Sequence, residues 1–209
     1  FFPPAPYVSQ AVELNQNTQL STGAQNCAAY DAGAFTGEMS AGMLADIGCQ
    51  QVLIGHSERR ALFAEDDATV LAKTRQALAA GLVAYVCVGE TLAQRQQGQE
   101  QQVVASQLKA LVDQLTESDW QQLVIAYEPV WAIGTGETAT PEQAQAMHAF
   151  IRAELQQVSA AVAQDTRILY GGSVKAANAA ELFGQPDIDG GLVGGASLDA
   201  EEFLAICHS

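Results

Sequence analysis

Short apolar runs alternate with longer runs of helical period along most of the 209 residues, and that alternation limits the possible folds more than any other feature. The stretches "QVLIG" (51–55), "LVAYVCVG" (82–89), "LVIAY" (123–127), "RILY" (167–170) and "GGLVG" (190–194) read as strands. Most lack the every-second-residue polarity of a strand with one wet face, so they belong to strands covered on both sides. Between them, "EDDATVLAKTRQALAAG" (65–81) reads as a helix stopped by its glycine. The run from about Leu92 to Leu115 repeats Val104, Leu108, Leu111 and Leu115, and a later stripe runs Met147, Ile151, Leu155, Val158, Val162. Thr140, Pro141 and Gln143 make a helix start: a capping hydroxyl, proline at the first helical position and glutamine closing the box. "VKAANAAELF" and "LDAEEFLAI" read as helices after the last two strands, and the glutamine-rich 93–102 reads as a solvated helix face. Strands and helices in alternation predict an α/β fold with a parallel sheet under helices. The forms to weigh are an open doubly wound sheet and a (β/α)8 barrel.

The length suits one domain over 1–209, and 48% hydrophobic residues suffice for its core. A net charge of −15 argues against nucleic acid or an anionic lipid surface as partner. It also means that an anionic substrate has to be held by local groups against the overall field. No apolar run approaches the ~20 residues of a membrane span, and no basic segment followed by an apolar one suggests a secretory leader. Cys27, Cys49, Cys87 and Cys207 lack metal-ligand spacing and are expected as buried free thiols of a reducing cytoplasm. His56, His148 and His208 are too scattered to predict a metal site.

In both α/β forms the chemistry sits just after the strands. Those positions hold His56, Glu90, Glu128, the Gly171-Gly172-Ser173 turn and the Gly194-Gly195 turn. Neither a GxGxxG nor a GxxxxGK[ST] motif is present, so dinucleotide and P-loop sites are not indicated. A glutamate is most often a surface acid, but Glu128 lies between a buried strand and Pro129, where partial desolvation favours a catalytic base. The tract after it reads as a lid, with Pro129 as first hinge, Trp131 as apolar anchor, and Gly134 and Gly136 as second hinge. His56 could be a satisfied core histidine. Ser57 is placed to cap a short helix there, and a histidine at such a helix start is disfavoured as the cation. Paired glycines before helices, as in "YGGSV" and "LVGGAS", offer backbone N–H groups to an anion, and two such turns on adjacent strands match the usual phosphate site of a barrel.

Taken together, "IGHSERR", "CVGET", "AYEPVWAIGTG", "YGGSV" and "LVGGASL" resemble the triosephosphate isomerase family, in order and from Phe2 to near the C-terminus; "GAFTGEMSAGMLADIG" (33–48) fits as well. The resemblance implies a (β/α)8 barrel and the interconversion of dihydroxyacetone phosphate and D-glyceraldehyde 3-phosphate without cofactor or metal. It implies Glu128 as the base, His56 as the neutral electrophile and Glu58 as the acid that holds a substrate-contacting lysine. It implies the backbone N–H groups of Gly134, Ser173, Gly194 and Gly195 as the phosphate cradle.

The family's opening strand bears an Asn-x-Lys motif, and this sequence begins at "FFPPAPYV", which resembles the end of the family's second strand. About six full strands are therefore expected, in a barrel truncated at its N-terminus, with activity absent or strongly reduced. Of the three lysines, Lys73 and Lys109 are expected on outer helix stripes and Lys175 at a helix start. The alternatives are a phosphate-binding barrel remnant without catalysis, and another barrel enzyme acting on phosphorylated sugars. The segment 27–40 resembles the protruding loop that docks into a partner subunit, so a homodimer is expected.

Overall fold

The computed structural model of the protein describes residues 1–135 and 137–209; Gly136, one of the expected hinge residues, lies outside the described residues. The strands are β1 (Gly23–Ala24), β2 (Gln51–Ile54), β3 (Val83–Val88), β4 (Leu123–Tyr127) and β5 (Arg167–Tyr170), and they pair in the order β1-β2-β3-β4-β5. The helices in chain order are α1 (Val8–Leu14), α2 (Ala41–Asp46), α3 (Ser57–Leu62), α4 (Asp67–Ala79), α5 (Leu92–Gln96), α6 (Glu100–Gln114), α7 (Glu117–Trp120), α8 (Pro141–Leu155), α9 (Ala160–Asp165), α10 (Ala176–Phe183) and α11 (Ala200–Cys207). The parallel sheet with helices between its strands is the α/β architecture read from the sequence. Among the described residues no helix is long and apolar enough to cross a membrane.

The chain groups into two compact units, 1–87 with 118–124, and 88–117 with 125–209. In the first unit β1 and β3 flank β2 in parallel, with Gly23 opposite Gln51 and Val52 opposite Ala84. β2 is buried at every position, as its unbroken apolar run requires. Phe1 donates its amino group to the Ser21 carbonyl at 2.7 Å and accepts from the Gly23 N–H at 2.8 Å, a strand-like pairing beside β1. α4 starts on an Asp66 cap and is stopped near Gly81, whose φ of +75° favours glycine. Lys73 of α4 is buried rather than on an outer face: its ammonium meets Glu65 at 2.6 Å and Asn26 at 2.7 Å, and Arg59 closes on the same carboxylate.

All five residues of β4, whose first two belong to the first unit and last three to the second, are buried; in the second unit α8 carries the Thr140–Gln143 capping box with Pro141 in its first turn. Two predicted helices are divided. The run 92–115 breaks between α5 and α6, where Gly98 has φ +68°. The Met147–Val162 stripe breaks at Ser159, which caps α9, so Val162 belongs to a new helix and Val158 is only half-buried. "GGLVG" is not a strand: Gly191 makes a single parallel bridge to Tyr170. Gly190 has φ +141°, which takes the chain out of extended form, and two glycines supply no side chains to pack a strand. The described residues hence hold five strands where about six were expected. All four cysteines are free, but only Cys27, Cys49 and Cys87 are buried; Cys207, at the end of α11, is exposed.

Candidate active site

Glu128 follows β4 directly, is 1% exposed, and donates its backbone N–H to Val88 O at 2.7 Å. Two glycines wall it. A methyl group on Gly89 would stand 1.7 Å from the Glu128 carbonyl oxygen, and one on Gly171 would stand 3.0 Å from its Cγ. Only residues without Cβ let the neighbouring chain segments approach Glu128, at its backbone and its side chain, so closely.

Glu90 is the second strand-end acid, and it is fully buried. Tyr127 donates to both its oxygens at 3.0 and 3.1 Å, the Trp131 indole N–H donates at 2.8 Å and Arg95 at 3.1 Å. Burial, with the Glu90 carboxylate beside it, pushes the Tyr127 hydroxyl above the usual phenol range, so Tyr127 acts as donor. The Arg95 guanidinium also covers the Trp131 ring at 4.9 Å. The first part of the tract after Glu128 is thereby tied down through Trp131, as its apolar anchor was expected to be. The hydrogen bond to Glu90 was not legible, because the partners are 41 residues apart; a glutamate after a buried strand together with a tryptophan after the next was the available signal.

Pro129 leads into a short 3-10 turn, Val130–Ala132. Gly134 then takes φ +66°, a left-handed value suited to glycine. Ser173 donates both its N–H, at 3.1 Å, and its hydroxyl, at 2.8 Å, to Ala132 O. The N–H expected to face a phosphate is thus bound to the tract after Glu128 in this structure. Gly171 donates to Tyr127 O at 2.7 Å. Tyr170 donates its N–H to Gly190 O and accepts at its carbonyl from the Leu192 N–H, which pairs the segment leading to Gly194-Gly195 with the end of β5. Gly194 and Gly195 are exposed, open the 3-10 turn Gly195–Leu198, and their N–H groups have no acceptor among the described residues.

In the other unit His56, not Ser57, caps α3: its Nδ1 accepts the Glu58 N–H at 3.3 Å. A nitrogen that accepts carries no proton, so in the neutral ring the proton sits on Nε2. The Glu58 carboxylate lies 3.7 Å from the same Nδ1, and its side chain is 72% exposed. The cap, not that contact, sets the ring, because an accepting nitrogen offers the carboxylate no hydrogen.

The sequence model of the family described as triosephosphate isomerase matches residues 1–209. A triosephosphate isomerase of Thiobacillus denitrificans is 58% identical over 206 residues, which are 99% of this chain and 83% of that protein. Triosephosphate isomerases of Nitrosomonas eutropha and Marinobacter nauticus are 54% and 55% identical, again over 99% of this chain and over 82% and 81% of their own lengths. With a match along all its described strands and relatives more than half identical, the chain belongs to the triosephosphate isomerase family of isomerases.

Proposed function

We propose that the chain performs the family's reaction on a phosphorylated triose, the interconversion of dihydroxyacetone phosphate and D-glyceraldehyde 3-phosphate, as one domain over 1–209 and without cofactor or metal. The observation that carries this reading is Glu128, enclosed at the end of β4 between Gly89 and Gly171. Its carboxylate takes a proton from C1 of the ketone while the carbonyl electrons move to the C2 oxygen, giving an enediolate. The proton returns at C2 as the C1 carbonyl forms, the C1 hydroxyl proton passing to the C2 oxygen. His56 donates from Nε2–H to the oxygen that gains charge; this family is the reference case for a carboxylate base paired with a neutral histidine. Gly134, Gly194 and Gly195 offer N–H groups to the phosphate dianion. Ser173 joins them when Ala132 O releases it. The tract around Trp131 closes over the intermediate and excludes water.

Glu58 holds the lysine ammonium that an Asn-x-Lys strand brings. The lysines of this sequence have other surroundings: Lys73 on Glu65 and Asn26, Lys109 on Asp113, Lys175 before α10. Loss of one electrostatic stabiliser costs ~10²–10³ in rate. The 209-residue polypeptide therefore turns over at least that much more slowly than the same polypeptide with a strand-helix unit bearing Asn-x-Lys joined to Phe1. A coupled isomerase assay on both checks this. Equal rates overturn the lysine argument, and no turnover by either favours a phosphate-binding protein without catalysis.

The reaction belongs to glycolysis and gluconeogenesis, and the free thiols fit the cytoplasm. The segment 27–40 carries a stacked Tyr30–Phe35 pair, both rings exposed, on the unit that also exposes Met43, Leu62 and Phe63. Exposed apolar area of this kind suits association with a second copy, and light scattering at micromolar concentration is expected to give a dimer mass.

A further inference from the structure

The reaction as written makes no use of His148, which is fully buried on α8. Its Nδ1 lies 3.2 Å from the Asp187 carbonyl oxygen. A carbonyl only accepts, so Nδ1 carries the ring proton and Nε2 presents a lone pair. Burial lowers the imidazole pKa to about 4 against the opposing pull of the Asp187 carbonyl, so the ring is neutral at physiological pH. The Nε2 lone pair has no partner among the described residues, and the hydroxyl of the fully buried Tyr170, faced by the Ala139 backbone N–H, has no acceptor there for its own proton. One is an acceptor and the other a donor, and their ring centroids are 6.3 Å apart with planes tilted 35°. Buried polar groups are almost always hydrogen-bonded, and an unmet acceptor and an unmet donor on neighbouring buried rings call for an internal water.

We propose that His148 is a positioning residue: one enclosed water joins its Nε2 to the Tyr170 hydroxyl, and Tyr170 in turn supports the Gly171-Gly172 turn. The His148 end of this relay is fixed. Asp187 is gripped by Arg152 at 2.7 Å and Gln145 at 2.6 Å, and Tyr127 packs edge-on against the imidazole at 5.7 Å. The Tyr170 end reaches the turn itself, since a methyl group on Gly172 would stand 2.3 Å from the hydroxyl oxygen. The backbone N–H of Ala139 faces the same hydroxyl. That leaves the hydroxyl's own proton for the water, which donates one of its hydrogens to Nε2. The functional half of the proposal rests on reading the adjacent glycine turns as the phosphate site.

The test is nitrogen NMR of the His148 ring in the intact protein and in Tyr170→Phe, with inorganic phosphate titrated into each. The relay requires an unprotonated Nε2 whose resonance moves when the hydroxyl is removed. It also requires weaker phosphate binding in Tyr170→Phe and in His148→Asn, by up to about tenfold, with recovery in His148→Gln, whose amide oxygen can stand near the Nε2 position. A proton on Nε2, or a resonance indifferent to Tyr170→Phe, overturns the contact. A moved resonance with unchanged phosphate affinity overturns the positioning role. If the unaltered protein binds no phosphate, the reading of the turns fails instead, and the NMR comparison alone decides the contact. Tyr170→Phe keeps the ring in place, so that comparison does not depend on the His148 variants folding.

Discussion

A methyl group added at Gly172 would stand 2.3 Å from the Tyr170 hydroxyl oxygen, whereas one added at Gly194 or Gly195 would meet nothing within 4 Å. The two glycine pairs look alike as sequence. In the first, glycine is required by packing, because Tyr170, Pro129 and Glu128 occupy the space and the neighbouring N–H groups of Gly171 and Ser173 are bonded to Tyr127 O and Ala132 O. In the second, an added methyl group has open space, although the Gly194 backbone (φ −88°, ψ −111°) itself favours glycine, and the N–H groups have no acceptor among the described residues. Backbone N–H groups without a protein acceptor, with open space beside them, are what an anion site requires. On the proposed function, the first turn is the frame of the phosphate site and the second its open hand.

The largest effect expected on the framed side is electrostatic. His148 packs behind Tyr127 and Tyr170 with its folded pKa lowered to about 4, against about 6.5 when unfolded. Its stabilising contribution is complete above about pH 6.5 and is lost as pH falls toward 4, because only the unfolded chain then takes up the proton readily. At 1.36 kcal/mol per unit the loss is about 3 kcal/mol. Urea midpoints at pH 7, 5 and 4 check it: the native protein should lose about that much more stability than His148→Gln over the interval. Equal losses would mean the ring is not held neutral by the packed side.

Gly172→Ala comes next. Overpacking against a buried phenol costs about 2 kcal/mol, visible as a lower denaturant midpoint at neutral pH. Smallest in stability is Gly195→Ala, where an added methyl group meets nothing, expected within about 0.5 kcal/mol of the native protein, yet with weaker inorganic phosphate binding by titration calorimetry. If Gly195→Ala were the more destabilising of the two, the contrast between frame and open turn would be reversed.

The strands 51–54, 83–88 and 123–127 were legible because a strand buried on both faces has no polar alternation, and few other local patterns match that. The start of α8 was legible because a capping box is local chemistry. What escaped depended on distant partners or on backbone conformation. Lys73 has the look of a solvated helix residue until Glu65 and Asn26 surround its ammonium. The 92–115 helix breaks on a left-handed Gly98, and 190–194 fails as a strand on a left-handed Gly190. His56 rather than Ser57 caps α3 because the ring nitrogen reaches two residues ahead, a use of histidine that sequence patterns for caps do not favour. Of the candidate site, the identities of Glu128 and the glycines were readable, while the attachment of Ser173 to Ala132 and of Trp131 to Glu90 was not.

The account turns on Glu128 moving the proton. Deuterium uptake from heavy water into dihydroxyacetone phosphate, followed by proton NMR, reads that step directly and remains measurable when turnover is slow. The 209-residue protein should exchange faster than buffer alone, and Glu128→Gln, which keeps the shape but cannot accept a proton, should lower the enzymatic rate by ~10²–10⁴ while phosphate affinity stays within about tenfold. Equal uptake with the two proteins, whether fast or at the rate of buffer, would contradict the assignment of Glu128 as the base.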